Sequence, residues 1–188
     1  YNGNNYSEEW IKEAESRGLA HLPTTVDAMH CFISEKNISL FTRWGIYTER
    51  EMRSRYDISL ENYAKLIRIE ASTMLSMAQR SILPAVIGYE SKIAEAVSAK
   101  DRLGVPNDAE YALLKGLSAG VNALHKRIGG LFDAIAAMPK GNGEAAEYCR
   151  DKLLPAMGSL REAADALETI TAKEYWPFPG YEDLLFNL

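Results

Sequence analysis

Apolar residues recur every three or four positions along nearly all of the chain, and few β-branched alternating runs interrupt them, so the pattern predicts an all-α protein. Ser7 is placed to cap a first short helix from about Glu8 to Arg17, with Glu8 and Glu9 complementing its positive end and Gly18 supplying a left-handed stop. Pro23 fixes the next entry. Thr24 and Asp27 form an acidic cap for a second helix that carries Val26, Met29, Ile33, Ile38 and Phe41 as far as Gly45. Thr48 and Glu51 make a Thr-x-x-Glu capping box, after which Met52, Tyr56, Leu60, Tyr63, Ile67, Ala71, Met74, Ala78 and Ile82 continue without a stop. This third helix is expected to reach Lys100, about 75 Å at 1.5 Å per residue, with Pro84 kinking it.

Gly104-Val105-Pro106-Asn107 is the next strong break, and Asn107 with Glu110 reads as another capping box. Leu113, Leu117, Val121, Leu124, Ile128, Leu131, Ile135 and Met138 then form a seam of alternating fours and threes, which Pro139-Lys140-Gly141 ends. A last helix places Cys149, Leu153, Met157, Leu160, Ala164, Leu167 and Thr171 on one stripe, with a second kink at Pro155. Short connections make successive helices neighbours. The expected architecture is therefore short N-terminal helices over 1–48, an antiparallel bundle of three long, kinked helices over 49–174, and an extended aromatic C-terminal strap over 175–188. Ala94, Ala119, Ala123, Ala134, Ala163 and Ala166 are expected at the close contacts. Gly116, Gly120, Gly129 and Gly130 are costly inside a helix, and close helix approach is one explanation for them.

Composition narrows the function. With 188 residues, 47% of them hydrophobic, the chain can bury a core of its own. A net charge of -5 disfavours a nucleic-acid surface, and the basic run at Arg50, Arg53 and Arg55 is interleaved with Glu49, Glu51 and Asp57 as in an ion-paired helix face. Two cysteines, Cys31 and Cys149, are too few for a disulfide framework and read as small buried apolar residues of a cytoplasmic protein. No apolar run approaches the ~20 residues that span a bilayer.

Candidate chemistry is sparse. His21, His30 and His125 stand in no Glu-x-x-His or His-x-x-x-His arrangement, so no metal site and no di-metal carboxylate centre is expected, and Asp27 with His30 reads as capping or surface. Met74 and Met77 read as core filler. Asn2-Gly3-Asn4-Asn5 and Gly141-Asn142-Gly143 lack the lysine and spacing of a phosphate loop. No catalytic or cofactor-binding residue is assigned. The exception to this plainness is the tail, where Tyr175, Trp176, Phe178, Tyr181, Leu184, Leu185 and Phe186 concentrate apolar area in a proline-rich segment that must cover it against something. These seven are the packing and assembly candidates.

Several stretches resemble the C-terminal end of glutamine synthetases. They are Gly45-Ile46-Tyr47-Thr48-Glu49-Arg50-Glu51 with its flanking helices, Leu22-Pro23-Thr24-Thr25-Val26-Asp27-Ala28 with Phe41 upstream, and Tyr56 and Glu70 downstream. The type III branch is the nearest in pattern: Asn2 to Trp10, Glu13-Ala14-Glu15 and Arg17-Gly18-Leu19 resemble its post-catalytic segment, and Tyr175-Trp176-Pro177-Phe178-Pro179 with Tyr181 to Phe186 resembles its terminal motif. The resemblance implies a parent ATP-dependent glutamate–ammonia ligase, using ATP and Mg or Mn, whose catalytic elements lie upstream of Tyr1. Residues 1–48 would then close the catalytic region. The absence of an initiator methionine fits an excised piece. It further implies a non-catalytic structural or regulatory role here, with the remainder of that chain and neighbouring subunits of a double-ring homo-oligomer as partners. A free-standing helical adaptor is the alternative reading.

Overall fold

The computed structural model describes residues 2–186, apart from the side chains of Tyr181 and Glu182. Among these, every regular element is a helix, and none is long and apolar enough to cross a membrane. The chain divides into two compact units, Tyr1–Ala64 with Gly141–Glu147, and Lys65–Lys140 with Tyr148–Leu188.

In the first unit, α1 (Glu8–Ser16) starts where the Ser7 hydroxyl accepts from the Trp10 N–H, and stops at Gly18, whose φ of 71° lets the Leu19 N–H turn back to the Ala14 carbonyl. The Thr24 side chain caps α2 (Thr25–Phe32), accepting from the Asp27 N–H at 3.2 Å. The expected single helix to Gly45 is instead two. Ser34 adopts extended backbone between α2 and α3 (Glu35–Arg43), and the Asn37 side-chain amide donates to the Cys31 carbonyl at 2.7 Å across the break. The capping box before α4 (Glu49–Met77) is present as expected: the Thr48 N–H donates to Glu51 Oε2 at 2.8 Å and the Glu51 N–H to Thr48 Oγ1 at 3.3 Å. Val26, Leu60 and Ala146 form the buried centre, flanked by Met29, Tyr56 and Tyr63. Arg53 pairs with Glu49, and the Arg55 guanidinium stacks 4.7 Å from the centre of the Tyr47 ring.

In the second unit, α5 (Leu83–Leu103) packs against α6 (Asp108–Ala136), and α6 against α8 (Leu154–Glu168). The expected stripes are buried: Leu117, Leu124, Ile128 and Leu131 on α6, and Met157, Leu160, Ala164 and Leu167 on α8. Close approach between α6 and α8 centres on Gly120, where an added Cβ would stand 2.4 Å from Leu167 Cδ2. Gly129 and Gly130 face open space, and Ala119, Ala123 and Ala166 are exposed, so these five do not mediate it. Nor is Asn107 part of a capping box. Its side chain reaches back to the Val97 carbonyl and to Asp101, while Glu110 pairs with Lys100.

Beside each proline expected to kink a helix lies a π-helical turn: π1 (Ala78–Ile82) two residues before Pro84, and π2 (Cys149–Leu153) two residues before Pro155. A proline offers no N–H to the preceding turn and crowds its carbonyl, and one extra residue in that turn relieves both. Helix α7 (Asn142–Tyr148) leads into π2. Of the two cysteines, Cys149 is buried, and its thiol pKa is raised by that burial. Cys31, in the last turn of α2, is exposed, contrary to expectation.

A candidate binding cavity beside the C-terminal strap

The tail is only partly extended. After Thr171, whose hydroxyl donates to the Leu167 carbonyl at 2.7 Å, a turn closes with the Trp176 N–H on the Ala172 carbonyl. The prolines keep the next residues irregular, and a short helix α9 (Tyr181–Leu185) follows where an extended strap was expected. Asp183 pairs with Lys173 at 2.8 Å and accepts from the Gly180 N–H at 2.9 Å; the lysine first, and then the amide, hold its carboxyl pKa below the ordinary value.

The tail's aromatic half is anchored within the second unit. The Tyr175 ring meets the Tyr89 ring of α5 at a centroid distance of 5.0 Å. Trp176 and Phe178, both half-buried, wall a cavity of about 620 Å³. Its floor is thioether and aliphatic: Met74 and Met77 of α4, Ile82 of π1, Met157 and Leu160 of α8. Glu70, Asp165 and Glu168 stand among its lining with one cation, Arg161, which already contacts Asp165 at 3.4 Å. Met77 is 41% exposed here, so the reading of Met74 and Met77 as core filler gives way to one in which they line an open cavity. Farther along the tail, Leu184, Leu185 and Phe186 are exposed, and the Tyr181 side chain lies outside the described residues.

A second constellation lies in the first unit. The Tyr56 hydroxyl and His30 Nδ1 are 3.1 Å apart, and His30 Nε2 is 3.8 Å from Glu147 Oε1. Burial, and then the nearby Glu147 and Asp57 carboxylates, raise the Tyr56 pKa, which opposes a phenolate nucleophile. Both His30 and Glu147 are about half exposed, and 3.8 Å exceeds hydrogen-bond reach, so the arrangement is a surface link between α2, α4 and α7. Sequence reasoning, which treated His30 with Asp27, missed it because its partners are far apart along the chain. The described residues gather no group of three or more His, Cys, Asp or Glu side chains able to hold a metal ion. They do not fit a divalent-cation site.

Against known proteins, the profile of the glutamine synthetase C-terminal domain matches residues 1–101, just over half of the chain. The chain belongs to that family. It is 36% identical over its whole length to a glutamine synthetase of Butyrivibrio fibrisolvens and 34% identical over 99% of its length to a type-3 glutamine synthetase of Dictyostelium discoideum. A glutamine synthetase of Bacteroides fragilis is 26% identical over the full chain. The chain spans only 26–27% of the length of these relatives. The similarity to glutamine synthetases thus continues past residue 101, through α6, α8 and the strap. Membership in this family also disfavours the free-standing adaptor.

Proposed function

We propose that this chain is the C-terminal helical portion of a type III glutamine synthetase, a ligase that joins ammonia to glutamate at the expense of ATP, with Mg or Mn. In this reading residues 1–48 close the catalytic region. The long helices and strap serve structure and assembly, and the catalytic groups, the nucleotide and the metal ions belong to the remainder of the polypeptide. The observation that carries it is full-length similarity to glutamine synthetases of which this chain spans about a quarter. The exposed Leu184, Leu185 and Phe186 support a further contact, with the rest of the parent chain or a neighbouring subunit of a double-ring, cytoplasmic homo-oligomer.

Two truncations of the parent test the assembly role. One removes residues from 102 onward; the other removes only 175–188, leaving α5, α6 and α8 in contact. Ligase activity and particle mass are measured on both. The expected result is a smaller particle in each case; an unchanged oligomer with full activity would remove the assembly role.

A further inference from the structure

The cavity beside the strap has the makings of a ligand site that packing alone does not require. At about 620 Å³ it lies within the usual range for small-molecule sites, and it is lined mainly by apolar groups with a few polar ones among them. The lining is selective in kind. Thioethers of Met74, Met77 and Met157 adapt to irregular apolar bodies, and the half-buried rings of Trp176 and Phe178 present faces that attract cations.

Charge gives the ligand its sign. Three carboxylates, Glu70, Asp165 and Glu168, oppose one guanidinium, Arg161, leaving two uncompensated negative charges beside an apolar floor. The side chains of Glu70 and Glu168 make no hydrogen bond or ion pair with other described residues, so both can receive a donor. The Trp176 indole N–H likewise has no acceptor among the described residues. An anion here would meet repulsion, and a purely apolar body would leave the carboxylates unused.

We infer that this cavity binds a small amphipathic organic cation: a protonated amine carried on an aromatic or alkyl body, with the body against the methionines and strap rings and the ammonium at Glu70, Asp165 and Glu168. The site lies wholly on residues of this chain, so it stands or falls separately from the catalytic reading above.

The test uses two fluorescent probes with the same dansyl body and a similar tether, dansylcadaverine (cationic) and dansyl-6-aminohexanoate (anionic). They are titrated into the full-length protein that carries this chain, and the blue-shift of dansyl emission reports entry into an apolar site. Two surface variants isolate the cavity: Thr73→Trp, on an exposed wall position, fills it, and the double change Glu70→Gln, Glu168→Gln removes its two uncompensated charges while leaving the Arg161–Asp165 pair in place. Circular dichroism establishes that each variant folds. The component of binding abolished by Thr73→Trp should be at least tenfold tighter for the cationic probe than for the anionic one, and the double variant should bring the two within about threefold. Equal affinities of the two probes in the wild type would overturn the inference. So would saturable binding indifferent to Thr73→Trp, or no saturable binding, the result expected if another part of the protein already fills the cavity.

Discussion

Gly120→Ala sets a steric cost against a propensity gain at one position, and the structure decides the sign. Replacing a glycine by alanine inside a helix gains about 0.8–1 kcal/mol from propensity alone. At Gly120, inside α6, the new methyl would stand 2.4 Å from Leu167 Cδ2 and 3.0 Å from Leu167 Cγ. Leu167 is only 1% exposed, so its side chain has no solvent to swing into. Overpacking of this kind costs about 1–3 kcal/mol, giving a net loss of about 0–2 kcal/mol. Gly129 and Gly130 lie in the same helix with nothing within 4 Å of an added Cβ, so Gly129→Ala should be stabilising by about 1 kcal/mol. The difference between the two variants, about 1–3 kcal/mol, is the structural quantity, because the propensity contribution cancels. Urea titration followed by circular dichroism measures it, with Leu167→Ala added in both backgrounds. If the contact is real, removing Leu167 costs less when residue 120 is alanine, by about the same 1–3 kcal/mol. Gly120→Ala stabilising as much as Gly129→Ala, or a strictly additive cycle with Leu167→Ala, would refute the close packing of α6 on α8.

Thr48→Ala removes one arm of the box that starts α4 and should cost about 0.5–2 kcal/mol in thermal or urea unfolding. The pKa of Glu110 is lowered from 4.5, first by its hydrogen bond to Lys100, so its contribution to stability is complete above that unfolded value and lost as pH falls through the lower folded one. Lys100→Met should raise the Glu110 carboxyl titration measured by NMR and flatten the acid limb of stability against pH. Tyr89→Leu and Tyr175→Leu, alone and together, should show a coupling of about 0.5–1.5 kcal/mol in a double-mutant cycle, as expected for an aromatic pair. Leu124→Ala, at a site with 0% exposure, should cost about 2–5 kcal/mol by the same unfolding assay.

The buried stripes were legible because they depend on spacing alone: Leu117, Leu124, Ile128 and Leu131 mark the inward face of α6 whatever packs on it. The break at Ser34 was missed because the apolar series runs across it, although Ser34 followed by Glu35 is itself a helix-start signal. What separates Gly120 from Gly129 is the neighbour, Leu167 in one case and open space in the other, and no local pattern carries that information. The cavity was illegible for the same reason. Met74 and Met77 look identical to core methionines until Trp176 and Phe178 arrive from the tail to wall a space beside them. His30 and Tyr56 sit 26 positions apart, and only the tertiary fold brings them together.

The π turns have a consequence for chain length. Met74, Ala78, Ile82 and Val86 are spaced by three successive fours, as are Ala145, Cys149, Leu153 and Met157. In a regular α-helix each step of four overshoots a full turn by about 40°, so three steps would carry the row about 120° off its face. The widened turns at Ala78–Ile82 and Cys149–Leu153 absorb that overshoot. Each is in effect one residue more than an α-helix needs. Deleting Gln79 while changing Pro84 to alanine would leave a plain helix with its apolar row in phase, whereas the same deletion in the middle of α6 would turn every later side chain by about 100°. These two turns are therefore where members of this family can differ in length by a single residue inside a helix without repacking what lies beyond it.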